Sequence, residues 1–113
     1  MRITTNREND IMILGIIGKL DAATSKDFQE KFLEFIDKGE TKFIIDCSQL
    51  DYISSAGIRV FYFFLRKLEN KDGKIVFCAL NNNIKRVFDI VDLPSDFPIF
   101  SSIDDAYEGF SGK

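Results

Sequence analysis

The amino-acid sequence predicts an α/β fold: a mixed, mostly parallel sheet with an antiparallel N-terminal hairpin, flanked by about four helices. Three observations predict it. Short apolar runs of strand length alternate along the chain with amphipathic stretches of helical period. One run, Ile-Met-Ile-Leu-Gly-Ile-Ile over residues 11–17, is continuous, which is typical of a strand buried on both faces of a sheet. Turn and capping residues such as Lys71-Asp72-Gly73 separate the segments.

The N-terminal part contains a predicted hairpin and a first helix. The hairpin strands are residues 2–7 and 11–17. Thr24 is expected to begin the helix, because Asp27 three residues later approximates a capping box. Gly39 ends the helix, since glycine is favoured just after a helix terminus. The apolar stripe of this helix consists of Phe28, Phe32, Phe35 and Ile36.

The middle of the chain supplies a third strand and a second helix. Residues 42–47 (Lys-Phe-Ile-Ile-Asp-Cys) form the strand, and a turn-like segment over residues 48–51 follows it. Ser54 and Ser55 open the helix, which is expected to run to about Asn70.

Next come a fourth strand and an amphipathic helix. The strand covers residues 74–80, and the asparagines at 81–83 offer caps for the helix. Pro94 ends that helix. Its apolar residues, Ile84, Val87, Phe88 and Val91, match the helical i, i+3, i+4, i+7 spacing.

A short strand and a last helix complete the predicted fold. The strand, residues 97–100, is expected at a sheet edge because Pro98 has no N–H to donate. Ser102 caps the helix, and residues 111–113 are expected to fray. The apolar face of this helix consists of Ile103, Ala106, Tyr107 and Phe110.

The composition excludes several kinds of site. The chain has no histidine, which rules out nucleophiles activated by histidine and metal sites built on it. Cys47 and Cys78 lie inside apolar runs and are expected to be small buried residues rather than zinc ligands. No phosphate-binding loop of the type GxxxxGK[ST] occurs. We therefore expect no enzyme, no metal and no cofactor.

Charge and hydropathy indicate where the protein acts. Fifteen Lys and Arg against eighteen Asp and Glu give a net charge of −3, which disfavours direct nucleic-acid binding. No run reaches the ~18 apolar residues of a membrane span, and the polar N-terminus does not resemble a signal peptide. A chain of 113 residues usually forms one domain. These features predict a cytoplasmic, single-domain protein that does not bind membranes.

Polar side chains follow the predicted parallel strands, where open α/β sheets place their sites. Asp21 follows the second strand, Asp46 lies in the third, and Asp51 precedes the serines at 54–55. Each could simply form a turn or cap a helix. The small residues at 56–57 favour an exposed serine hydroxyl, because they leave a partner room to approach.

Three segments together resemble the STAS domain family. They are Gly18-Lys19-Leu20-Asp21, residues 44–60 (Ile-Ile-Asp-Cys-Ser-Gln-Leu-Asp-Tyr-Ile-Ser-Ser-Ala-Gly-Ile-Arg-Val) and residues 83–88 (Asn-Ile-Lys-Arg-Val-Phe). The middle segment is the specific one, and the resemblance covers almost the whole chain. Within the family, the chain resembles the free-standing bacterial anti-sigma factor antagonists. The resemblance implies a single STAS domain over residues 1–113.

The resemblance implies a phosphorylation switch rather than catalysis. In such proteins the unphosphorylated antagonist binds an anti-sigma factor that is also a serine kinase, which frees the sigma factor. The kinase then phosphorylates a serine at the start of the second helix and ends the interaction, and a phosphatase restores it. The resemblance therefore implies two partners for this chain: an anti-sigma factor with serine kinase activity, and a phosphatase.

The family motif, Asp-Ser-Ser/Thr/Ala-Gly-Leu, assigns the modified serine when it is aligned on Gly57. The modified residue is then Ser55, and Ser54 occupies the place of the motif aspartate and is the second candidate. Asp21 and Asp46 match acidic or polar positions that line the phosphorylation region in the family. Asp51 and Ala56 complete the expected surroundings of the phosphorylated serine.

The second helix carries more apolar residues than one buried stripe can use. Val60, Phe63 and Phe64 point away from its main apolar face, beside Arg59 and Lys67. Either neighbouring helices cover these residues or they form an exposed patch for a partner. On the second interpretation, the partner-binding residues are Ile58, Arg59, Phe63 and Phe64.

Two other functions stay open at this stage. A STAS interaction subunit of another assembly, such as a lipid-transport complex or a stress-signalling scaffold, would need no phosphorylation; the serine in place of the motif aspartate favours it. The intact Ser-Ser-Ala-Gly in a short chain disfavours it. An enzyme using Asp21 and Asp46 as an acid pair is the third class, with nothing further in the sequence to support it. A weak homodimer also stays open.

Overall fold

The computed structural model describes residues 1–111, which contain six strands, four α-helices and one turn of 3-10 helix at Leu93–Ser95. In chain order these are β1 (Arg2–Glu8), β2 (Ile11–Leu20), α1 (Ala22–Asp37), β3 (Lys42–Asp46), β4 (Leu50–Ile53), α2 (Ser55–Glu69), β5 (Lys74–Cys78), α3 (Asn82–Ile90), β6 (Ile99–Phe100) and α4 (Ile103–Ser111). The predicted fold class is confirmed. The expected fraying of Gly112 and Lys113 lies outside the described residues, and Ser111 is the last residue of α4.

The sheet has the strand order β1-β2-β3-β5-β6, with β4 paired to the C-terminal end of β2. Only the β1–β2 pair is antiparallel; the other pairs of the described sheet are parallel. The parallel strands therefore all end at the same edge of the sheet. Both α1 and α2 begin at this edge, directly after β2 and β4.

The two faces of the sheet bury different side chains. One face packs against α1, α2 and α3 through a core rich in phenylalanine, in which Phe61 contacts Phe77 of β5 with ring centroids 4.8 Å apart. The other face is smaller and packs against α4, where Ile13, Ile44 and Cys78 form one apolar cluster with Ala106. Side chains alternate along a strand, so a residue's register decides which helices it faces.

The main difference from the predicted fold is β4, because residues 48–51 are expected to form a turn. The backbone N–H of Gly18 donates to Gln49 O at 3.0 Å, and β4 pairs with the end of β2 from Leu50 onward. Leu50 and Ile53 are buried, whereas the two residues between them are exposed. Because only its first and last residues are buried, β4 lacks the alternation of apolar and polar residues by which a strand is predicted from sequence.

Several element boundaries also differ from the predicted ones. The strand β2 continues to Leu20, three residues beyond its predicted end. β5 stops at Cys78, because Ala79 adopts a left-handed conformation with φ 60°. The last strand covers only residues 99–100. Helix α1 begins at Ala22, two residues earlier than expected, because Asp21 rather than Thr24 is at its N-terminus as the cap.

Candidate functional site

The serine pair at the start of α2 divides into a capping residue and a free hydroxyl. Ser54 is the N-cap, and its hydroxyl oxygen accepts a hydrogen bond from the backbone N–H of Gly57 at 3.3 Å. Ser55 is the first residue of the helix and is exposed. Within residues 1–111 its hydroxyl has no hydrogen-bond partner. Ser55 therefore presents a hydroxyl to solvent that has no structural task.

Gly57 lets the start of α2 pack directly on the end of β2. A Cβ atom at this position would lie 3.0 Å from Leu20 O and 3.0 Å from a side-chain carbon of Ile53. The backbone N–H of Ser54 donates to the same Leu20 carbonyl at 2.9 Å. A larger residue would push the helix away from the strand, so glycine fixes the position of the two serines relative to β2.

Asp21 caps α1 beside this point. Its Oδ1 accepts hydrogen bonds from the backbone N–H groups of Ala23 and Thr24, each at 3.0 Å, and the backbone N–H of Asp21 donates to the Thr24 hydroxyl. The capping box therefore begins at Asp21, and the prediction that Thr24 begins the helix is wrong because Thr24 is its third residue. The hydrogen bond from the Thr24 N–H is the main cause that lowers the pKa of the Asp21 carboxyl.

Asp21 and the serines are brought together by β2. Asp21 follows Leu20 in the chain, and Leu20 accepts the hydrogen bond that anchors Ser54. Two helix N-termini, each with a positive dipole end, therefore start from the same end of β2. Asp21 and Ser55 are therefore anchored to the same end of β2.

Asp46 is placed differently. It pairs with Gly15 and Cys78 in the sheet, and its Oδ1 accepts a hydrogen bond from the backbone N–H of Ser48 at 3.0 Å. By alternation it shares a face with Ile44, the face covered by α4, whereas α2 covers the opposite face. The structure thus directs Asp46 away from the start of α2, and its carboxylate shapes the β3–β4 turn. Asp51 lies on β4 and is exposed.

The predicted apolar patch on α2 is largely part of the core. Val60 and Phe64 are buried, and Phe64 stacks on Phe32 of α1 with ring centroids 4.3 Å apart. The interpretation that places Phe64 in an exposed patch is therefore wrong, and the alternative that a neighbouring helix covers it is confirmed for Val60 and Phe64, because α1 packs along this side of α2. Ile58 is buried as well, which removes it from a direct role at the surface.

Phe63 and Arg59 are the two predicted partner-binding residues that the structure leaves exposed. The exposed fraction of Phe63 is 44%, and the ammonium group of Lys67 lies 5.8 Å from its ring centroid. Both residues border a groove between α1 and α2, which we call the α1–α2 groove.

The α1–α2 groove is lined by one stripe from each helix, both with i, i+3, i+4, i+7 spacing: Ala22, Ser25, Lys26 and Gln29 from α1, and Ala56, Arg59, Val60 and Phe63 from α2. Small residues form the end next to Ser55. The charged residues that line it, Lys26 and Arg59, are both cations in an acidic protein. The α1 stripe was not predicted from the sequence, although Ala22 and Ser25, two small residues beside the phenylalanine face of α1, were a signal for it.

Cys47 and Cys78 are free thiols and both are buried. Burial raises the pKa of the Cys47 thiol well above its usual range and that of Cys78 to about 12, so both stay protonated at neutral pH. In the described part of the chain, no cluster of three or more Cys, Asp or Glu residues could hold a metal ion. None of the helices over residues 1–111 has the length and apolar character of a membrane span.

The chain is similar over its length to proteins named anti-sigma factor antagonists. It is 31% identical over 110 residues to BtrV of Bordetella bronchiseptica, assigned as an anti-sigma factor antagonist, covering 97% of this chain and 95% of that one. It is 24% identical to the anti-sigma-F factor antagonist RsfB of Mycobacterium tuberculosis, with coverage of 97% and 89%. The solved structure of SpoIIAA in its unphosphorylated form has the same fold, with a TM-score of 0.86, 18% identity and coverage of 99% and 98%.

The family follows from the match over the domain itself. The STAS domain model matches residues 2–106, which include every strand of the sheet and the start of α4. The resemblance seen in the three sequence segments is thereby confirmed. This chain belongs to the STAS domain family.

Proposed function

We propose that this protein is an anti-sigma factor antagonist, a regulator rather than an enzyme, that binds an anti-sigma factor through the surface around Ser55. Phosphorylation of Ser55 ends the binding. The observation that carries the proposal is the division of tasks between the serines: Ser54 holds the helix start, while the Ser55 hydroxyl is exposed and unpartnered. The names of BtrV and RsfB support it.

The helix terminus explains why the fold tolerates a phosphate at Ser55. A phosphoserine adds about −1.5 to −2 charges at neutral pH, and a helix N-terminus favours such charge through its free N–H groups and dipole. Modification of Ser54 would instead occupy the oxygen that accepts the Gly57 N–H, and loss of an N-cap costs about 1 kcal/mol. Ser55 is therefore the better site of modification.

The α1–α2 groove explains why a partner would be released. Its exposed ring at Phe63 and its cations at Lys26 and Arg59 fit a partner segment that carries both apolar and acidic side chains. A phosphate at the small-residue end of the groove repels such acidic side chains. A mismatch of this kind at an interface costs roughly 2–5 kcal/mol, enough to dissociate a complex of ordinary affinity.

The partners proposed are an anti-sigma factor with serine kinase activity and a phosphatase that restores the unmodified form. We further propose that residues 1–113 make up a single STAS domain. A direct test uses each candidate anti-sigma factor kinase encoded in the source genome, purified and incubated with this protein and ATP. Intact mass spectrometry is expected to show one gain of roughly 80 mass units, mapped to Ser55.

Two matched variants make this test specific. Ser55→Ala is expected to show no gain in mass, whereas Ser54→Ala keeps it, because the removed hydroxyl caps the helix and is not modified. A gain that persists in Ser55→Ala and disappears in Ser54→Ala would assign the modification to Ser54. If no candidate kinase modifies or binds the protein, the phosphorylation switch is refuted. The alternative is then a STAS subunit of another assembly, which the serine in place of the motif aspartate favours.

A further inference from the structure

Arg59 is an uncommitted cation one helical turn after Ser55. Residues four apart on a helix have Cβ atoms roughly 5–6 Å apart, and side chains lean toward the helix N-terminus. At this spacing an arginine at position 59 can reach a group attached to Ser55. It is exposed, and no carboxylate of residues 1–111 forms an ion pair with it.

The charges around Arg59 leave it free for an anion that arrives on Ser55. The nearby carboxylate of Asp21 is engaged with the N–H groups at the start of α1. Lys26 is the other charged residue of the α1–α2 groove and is also a cation. A guanidinium group binds phosphate through parallel N–H donors, a geometry that a lysine does not offer.

We propose that Arg59 is the internal receptor for the phosphate on Ser55, an inference that rests on the proposed modification of that residue. The unmodified protein presents Arg59 to the α1–α2 groove, whereas the phosphorylated protein pairs it with the phosphate along α2. The charge of about −1.5 to −2 then offsets the two cations of the groove. Phosphorylation thus removes the positive charge that an acidic partner segment needs, without moving the backbone.

The test needs neither kinase nor partner. Phosphoserine is incorporated at position 55 during translation, and the pH titration of its phosphorus-31 NMR signal is followed in the full chain. A free phosphoserine titrates near pH 6. An ion pair with Arg59 favours the dianion, so the midpoint is expected to lie roughly 0.3–0.7 pH units lower in the wild type than in Arg59→Gln.

Two further variants separate this effect from general electrostatics. Arg66→Gln removes an exposed cation in the last turn of α2 and is expected to leave the midpoint at the wild-type value. Arg59→Lys keeps the charge but not the paired donors, so its midpoint is expected between those of wild type and Arg59→Gln. The difference between wild type and Arg59→Gln is also expected to shrink in about 1 M salt, because exposed charges are then screened within roughly 3 Å.

Equal midpoints in the wild type and Arg59→Gln would overturn the proposal, as would an equal shift in Arg66→Gln. Melting temperatures of the phosphorylated variants verify that each is folded. Because the phosphoserine is installed without a kinase, this result does not depend on whether an anti-sigma factor modifies the protein. A positive kinase assay with equal midpoints would refute only the role of Arg59, and the reverse combination only the proposed function.

Discussion

Replacing Phe63 and Phe64 by alanine, one at a time, distinguishes the side of α2 that lies in the core from the side proposed to bind a partner. These neighbours differ sharply, because the exposed fraction of the side chain is 44% for Phe63 and 0% for Phe64. Removing a buried phenylalanine typically destabilises a protein by about 3–5 kcal/mol. Phe64 also loses its stacking contact with Phe32, and such aromatic pairs contribute about 0.5–1.5 kcal/mol. We therefore expect Phe64→Ala to lower the free energy of unfolding by about 4 kcal/mol.

The expected loss for Phe63→Ala is much smaller. Full burial of a phenylalanine side chain contributes about 1.5–3 kcal/mol, and Phe63 is little more than half buried, so about 1 kcal/mol is lost. Phe63→Ala should instead weaken binding of the anti-sigma factor, because its ring is the exposed apolar element of the α1–α2 groove.

Chemical denaturation followed by circular dichroism measures the two stabilities, and calorimetric titration of the anti-sigma factor measures the binding. The stabilities are compared in urea, where the slope of the transition shows whether both variants unfold as the wild type does. Similar destabilisation by the two substitutions would refute the placement of Phe64 in the core. Unchanged partner affinity in a folded Phe63→Ala variant would refute the groove as the binding surface.

Three other perturbations test individual parts of the site. Gly57→Ala should lower the free energy of unfolding by about 1–3 kcal/mol, because its Cβ would lie 3.0 Å from Leu20 O; urea denaturation matching the wild type would contradict this. Asp21→Ala should lower the melting temperature at pH 7. The pKa of Asp21 is lowered in the folded state, so its carboxylate stabilises the fold above about pH 4. The difference in melting temperature between variant and wild type should therefore fade as the pH drops further. A difference that persists at pH 2 would contradict the role of Asp21 as a cap. The thiols of Cys47 and Cys78 should resist iodoacetamide at pH 8 until the protein is unfolded, because burial raises their pKa values; rapid labelling of the native protein would show that they are accessible.

Much of the fold could be predicted from the sequence because its signals are local. The continuous apolar run of β2 and the apolar spacing of α3 each arise from residues close together in the chain. The strand β4 could not be predicted, because its pairing partner is the far end of β2 and only its first and last residues are buried. The predicted start of α1 was two residues too late for a related reason. Aspartate and threonine can both cap a helix, and only the path of β2 decides which of them does so.

The candidate site was predictable in part. The serines and the small residues after them follow from their order in the chain, whereas the direction of a side chain depends on packing. Helical periodicity places Val60 and Phe64 off the main apolar face of α2, but it does not reveal that α1 covers that side. In the same way, Asp46 lies at the expected edge of the sheet, and its register turns it toward the face opposite α2.

The serine that replaces the motif aspartate keeps one property of that residue and removes another. Aspartate and serine are both strong N-caps, and the Ser54 oxygen accepts the Gly57 N–H, as an N-cap side chain does. The geometry that frees the Ser55 hydroxyl therefore needs no carboxylate at position 54. What changes is charge: a carboxylate there would stand beside the phosphate and repel it, whereas a hydroxyl does not. Serine at position 54 thus keeps the start of α2 intact. If Ser55 is phosphorylated as proposed, the phosphate meets no carboxylate at position 54, and Arg59 has no carboxylate there to pair with in place of the phosphate.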